Sequence, residues 1–196
     1  MSAILSLINI YLLIAYFSML VWFLPLVKQR NTKYFGFFLI YSLIDPITRL
    51  VFWAFNLMPL TFYPAFILLS ALALTNNYKN IRFLFGVLLT LIISILLGLN
   101  LFWLYIICIL GTTLILFILI NHLIVKIYQE HTINLFLCAF ILFQFVSIIK
   151  LIVILLNFYS GVTSFFLATI SQIFFALLFS LVNFNTKNYP LKAKKK

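Results

Sequence analysis

Long apolar runs alternate with short polar breaks along the whole chain. The first run covers residues 3–27 and ends at "KQRNTK"; the second covers 34–57 and ends at "NLMP". A third, 60–75, stops at "TNNYKN", and a fourth, 81–97, closes on a "GLN" turn. The fifth, 101–124, is separated by "KIYQEHT" from the sixth, 133–156, and "NFYSG" leads to the seventh, 162–182. Most of these runs approach the roughly 20 apolar residues that a helix needs to cross hydrocarbon; the third and fourth are shorter. The first is too long for a signal-peptide core and lacks a basic n-region or A-x-A site, so it reads as a retained helix. The pattern predicts an all-α, polytopic membrane protein. Residues 1–186 form a single domain of seven transmembrane helices, and 187–196 form a basic tail.

Composition supports lipid as the solvent. The chain is 66% hydrophobic and 8% charged, whereas soluble domains are about half apolar. Seven spans and their short connections leave no room within these residues for a soluble domain.

The formal charge of +11 would suggest nucleic acid if the basic residues were spread over a surface. They are not. Lys28, Arg30 and Lys33 follow the first run, Lys79 and Arg82 the third, Lys126 the fifth, and Lys187, Lys192, Lys194, Lys195 and Lys196 the seventh. The even-numbered connections carry none. This positive-inside pattern excludes nucleic acid as the partner and requires an odd number of spans. It predicts an inner-membrane, multi-pass protein with its N-terminus outside and its C-terminus in the cytoplasm. The lysine-rich tail reads as a topology anchor near anionic headgroups, each lysine contributing about 1 kcal/mol. Its alternative role is to dock an acidic partner.

Two basic residues fall inside spans, and so does one of the chain's two acids. "YSLIDPITRL" places Asp45 and Arg49 four residues apart on one helical face, which predicts an intramembrane ion pair. Pro46 removes a backbone bond and predicts a kink, with the Ser42 carbonyl freed. Lys150 lies seven residues before Asn157, as Arg49 lies seven before Asn56. At 1.5 Å per residue both bases sit about 10 Å below the same boundary. Two bases against one acid leave a surplus positive charge that could bind an anion, face a water-filled cavity or snorkel outward. Gln144, Gln172 and Ser171 could line the same interior or simply hydrogen-bond between helices. His122 reads as structural, and His131 falls in a connection.

This inventory excludes most chemistry. Two acids and two histidines cannot furnish an acid–base pair on one level, and no set of metal ligands exists. Cys108 and Cys138 lie in apolar runs as small buried side chains. The seventh span has no lysine for a retinal Schiff base. No enzyme activity, metal or cofactor is expected.

Two patterns extend the reading. A shift of 101 residues aligns "RLVFWAFN" with "KLIVILLN" and Ser70 with Ser171, laying spans one to three over five to seven. This is a three-plus-one-plus-three repeat of the kind transporters use. The stretch "LPLVKQRNTKYFGFF" also resembles the first cytoplasmic junction of PQ-loop and SWEET-type transporters, with Pro25 and Lys33 in place. Leu26 stands where that family has glutamine, and "LIVKIYQEHT" has no proline. More of the chain, from the LP-plus-basic junction through Asp45 to "MPLTFYPAF", resembles small bacterial seven-helix membrane proteins of unassigned function, similar to the sensor half of some membrane histidine kinases.

The second resemblance implies a non-enzymatic sensor or accessory subunit, whose protein partner docks at "KIYQEHT" or the basic tail. The first implies a small transporter of a polar or anionic solute. A transporter predicts a polar cavity near the midplane; a sensor or accessory bundle predicts a closed core.

Overall fold

The computed structural model describes residues 2–75, 100–156, 161–182 and 188–190, together with Phe85, Leu88, Leu89, Ile92 and Ile95. The described chain is helical apart from one short strand pair. Helices α1 (Ser2–Val21) and α2 (Phe23–Lys28) are nearly continuous. Trp22 between them keeps right-handed helical angles, and its N–H reaches the Ser18 carbonyl at 3.2 Å. The break arises because Pro25 has no N–H to give the Val21 carbonyl. Helix α3 (Phe35–Phe55) ends at Asn56, which turns left-handed at φ 55° and donates to the Phe52 carbonyl. A 3₁₀ turn (Pro59–Thr61) leads into α4 (Tyr63–Thr75).

Helix α5 (Leu101–Glu130) starts at Asn100, whose side chain accepts from the Phe102 N–H, and ends at His131, left-handed at φ 50°. Strand β1 (Thr132–Asn134) follows, and the Asn134 side chain caps α6 (Leu135–Leu155) by accepting from the Leu137 N–H at 3.0 Å. Helix α7 (Gly161–Leu181) is followed by β2 (Asn188–Pro190), which pairs antiparallel with β1, Ile133 opposite Tyr189.

Helices α3, α5 and α6 are long and apolar enough to span a membrane; the stretches Leu13–Lys28, Tyr63–Thr75 and Thr169–Leu181 are shorter apolar helices. The fifth helix differs from its predicted extent. It runs for 30 residues, or about 45 Å, past the roughly 30 Å of hydrocarbon. "KIYQEHT" is therefore mostly helix rather than connection, and Lys126 and Glu130 form an i, i+4 ion pair at 3.6 Å on it. Most of the predicted fourth span lies outside the described residues. Its five described residues are helical, and Phe85, Leu88, Leu89 and Ile92 are exposed. Of the tail, β2 is described and the five lysines are not.

The helices close a ring: α1 and α2 against α3, then α3–α4, α4–α5, α5–α6, α6–α7, and α7 back onto α1 and α2. Gly111 lets α4 and α5 approach, since a Cβ there would meet Ile67 Cγ2 at 2.7 Å. One half of the ring is filled by aromatic rings. Trp22, Tyr34, Phe37, Phe38, Phe136, Phe140, Phe143, Phe175 and Phe179 form a continuous buried cluster. Centroid separations such as 4.6 Å for Phe37–Phe140 and 5.4 Å for Phe38–Phe179, both edge-on, are those of tightly packed aromatic pairs. The outer surface is also apolar, with Trp53 90% exposed.

The aromatic half adjoins the end of the bundle where α2 stops and α3 starts, with Lys28, Arg30, Lys33 and Lys126. Burial, with Lys126 nearby, holds the Lys33 ammonium below the usual lysine pKa, against the opposing pull of Glu130. Gln29 secures this end. It is fully buried, and its Nε2 donates to the Phe179 and Val182 carbonyls at 2.9 and 2.8 Å. Those carbonyls belong to the last turn of α7, where no intrahelical donors remain. Gln29→Ala is expected to lower stability by about 1–3 kcal/mol, the cost of leaving buried acceptors unmade. An unfolding titration in mixed micelles measures this; an unshifted midpoint would mean that water or headgroups satisfy those carbonyls.

Candidate functional site

The other half of the ring is not filled. A cavity of about 520 Å³ lies between α1, α3, α4, α5, α6 and α7. Its lining on α3 runs from Tyr41 to Arg49, on α5 from Leu101 to Ile115, and on α6 from Gln144 to Ile154. These are the segments farther from the basic end. Exposed Met58 and Leu101 line it at the far end, while Tyr41, Ile115 and Gln144 border the aromatic core.

Asp45, Arg49, Gln144, Lys150 and Gln172 all line this one cavity. Helical spacing accounts for the grouping on each element: Asp45 and Arg49 are one turn apart on α3, and Gln144, Ser147 and Lys150 step by three along α6. Ser171 is half-buried and outside the lining. His122 lies away from the cavity, with Nδ1 3.5 Å from the Tyr34 hydroxyl, and His131 caps α5. Cys108 lines the cavity; Cys138 does not, and both are free thiols.

The predicted Asp45–Arg49 ion pair does not form. The Tyr63 hydroxyl at the start of α4 donates to Asp45 Oδ1. The Arg49 guanidinium turns instead onto the Tyr16 ring of α1, 4.7 Å from its centroid. Spacing of i, i+4 permits a pair on an isolated helix, but here neighbouring helices offer each side chain a partner. Lys150 stands within electrostatic reach of Asp45 from across the chamber. Pro46 lies inside α3, and the Ser42 and Thr48 hydroxyls donate to the Leu39 and Asp45 carbonyls on either side of it.

Several residues that sequence reasoning passed over complete the site. Tyr63 is the partner of the acid, and the signal for it was present: it opens the span after the turn, and a phenol reaches farther than serine or threonine. Tyr41 lines the chamber together with Ser147. Thr48, Ser70, Thr112 and Ser147 each donate the hydroxyl proton to a carbonyl of their own helix, at 3.1, 2.8, 2.7 and 2.9 Å. Their remaining lone pairs make the walls accepting. Gln144 is 1% exposed, and its Nε2 has no hydrogen-bond partner among the described residues. An unmade buried donor costs about 1–3 kcal/mol, and native proteins keep few of them.

Compared with known proteins, the chain matches no family model, no curated protein and no solved structure.

Proposed function

We propose that the protein is a non-enzymatic membrane sensor: a multi-pass bundle that receives a small solute in a chamber open toward one face of the inner membrane. The observation that carries this reading is the division of the ring into two halves. One holds a 520 Å³ cavity with converging polar side chains, of the size and character of small-molecule sites. The other is packed with aromatic rings, so a solute that enters from the far end stops midway. A sensor with a fully closed core was one expectation and a midplane cavity the other; this bundle combines a cavity with a closed floor.

The membrane reading adds seven spans with the chamber facing outward. Thr75 lies at the basic end and Leu101 at the opposite one, so the seven-span reading takes 76–99 as the remaining crossing. The basic clusters put the closed half on the cytoplasmic side. There α5 projects beyond the hydrocarbon and β1 pairs with β2, which supports this end as the partner surface.

A transporter is the second reading. It is supported by Arg49 and Lys150, which the 101-residue offset superposes and which line one chamber, as a repeat around a central site would give. Proteoliposomes separate the two. Vesicles bearing the protein are incubated with a metabolite extract, and protein-retained and lumenal solutes are analysed by mass spectrometry. Retention by the parent, lost in the chamber-filling variant Ser70→Trp and with no lumenal accumulation, is the expected result. Accumulation in the lumen would establish transport instead, and equal retention by parent and variant would overturn both.

A further inference from the structure

We propose that the chamber binds a monoanionic hydroxy acid, with Arg49 and Lys150 supplying the charge and Gln144 Nε2 a directed donor. This rests on the reading of the cavity as a solute site and names the solute's class.

Charge sets the first requirement. Arg49, Lys150 and Asp45 face the chamber. The chain's other acid, Glu130, is paired with Lys126 at the opposite end of the bundle. By formal count the chamber therefore carries one positive charge in excess, inside a bundle whose outer surface is apolar. Uncompensated charge in such surroundings is strongly unfavourable. A monoanion brings the chamber to neutrality. A neutral or zwitterionic solute leaves the excess untouched, a cation doubles it, and a dianion reverses it.

Hydrogen bonding sets the second. Among the donors facing the chamber are Arg49, Lys150 and the unpartnered Gln144 Nε2. These suit an oxyanion, with arginine able to offer two parallel donors. Arg49 rests on Tyr16, a residue 53% exposed, and exchanging that contact for an oxyanion needs only side-chain rotation. The hydroxyls of Thr48, Ser70, Thr112 and Ser147 have already given their protons to backbone carbonyls. They can only accept, so a well-matched solute brings O–H donors of its own. Ile44, Ile67, Ile115 and Leu151 cover the rest of the wall and suit a carbon skeleton.

Three probes of one skeleton test the assignment in phosphatidylcholine nanodiscs at constant ionic strength: sodium mandelate, its uncharged amide mandelamide, and phenylacetate, which lacks the hydroxyl. Mandelate is expected to raise the unfolding midpoint saturably. Mandelamide is expected to bind at least tenfold more weakly, and phenylacetate to fall between. Arg49→Gln and Lys150→Gln should each weaken mandelate at least tenfold, whereas Lys150→Arg retains it and confirms that the site is intact.

Equal stabilisation by mandelate and mandelamide would overturn the anion assignment and leave the chamber as a solute site. A mandelate effect that persists in the Arg49→Gln, Lys150→Gln double variant would place the anion elsewhere and overturn it too. No response to any of the three would also overturn it, while solute retention in the vesicle experiment independently decides whether the chamber binds at all.

Discussion

Truncating Phe143 to alanine is expected to cost the bundle about 2–4 kcal/mol. Phe143 is 1% exposed and contacts Trp22, Tyr41, Phe175 and Phe179 at centroid separations of 5.3, 5.4, 5.2 and 5.9 Å. In water-soluble cores, Phe→Ala costs about 3–5 kcal/mol, a sum of lost transfer energy and the cavity left behind. Lipid changes that sum. The unfolded reference state in a bilayer is itself surrounded by hydrocarbon, so most of the transfer part disappears and the lost packing remains. Phe143 also borders the chamber through its neighbour Gln144, so the vacated volume lies between the polar half and the floor that closes it. The same variant should admit solute deeper into the bundle and weaken its retention. Unfolding titrations in mixed micelles measure the first effect. A loss below about 1 kcal/mol would mean that these rings are loosely packed and readily replaced, contrary to their arrangement.

Much of the helical order was legible because polar breaks in so apolar a chain have few alternatives to marking helix ends. Asn56 and Asn100 fall in predicted breaks, and each stands at a helix terminus as a cap; Asn134 lies inside the predicted sixth run and instead caps the start of α6. The extent of α5 was not legible. "KIYQEHT" contains good helix formers, and its polarity marks the end of the apolar part of α5, not the end of the helix. Counting from the same boundary puts Arg49 and Lys150 at one level, and both line the one cavity. Direction was harder. The i, i+4 spacing of Asp45 and Arg49 predicts a pair, and only the neighbouring helices decide that Tyr63 and Tyr16 take those side chains instead. Gln29 was invisible for the same reason: it reads as part of a basic connection, and its role depends on where α7 ends.

Asp45→Asn should be the most disruptive single change in the chamber, costing about 3–5 kcal/mol, the range for leaving a buried charge without its counter-charge. Asparagine keeps an oxygen that can accept from Tyr63, so the substitution removes the charge with little change of shape and leaves two bases facing no acid. The second-site change that compensates identifies which base the acid serves. An i, i+4 ion pair would make Arg49→Gln the rescuing substitution. The observed contacts favour Lys150→Gln. Arg49 has the partly exposed Tyr16 ring as a partner whether or not Asp45 is charged. Lys150 makes no ion pair or hydrogen bond among the described residues and has Asp45 as the acid within reach. A double-mutant cycle should therefore give Asp45 and Lys150 a coupling at least 1 kcal/mol larger than Asp45 and Arg49. The reverse order would show that Asp45 balances Arg49 and that Lys150 carries the chamber's excess charge. Equal couplings would mean that the acid is shared between the two bases, so that an incoming anion draws on both at once.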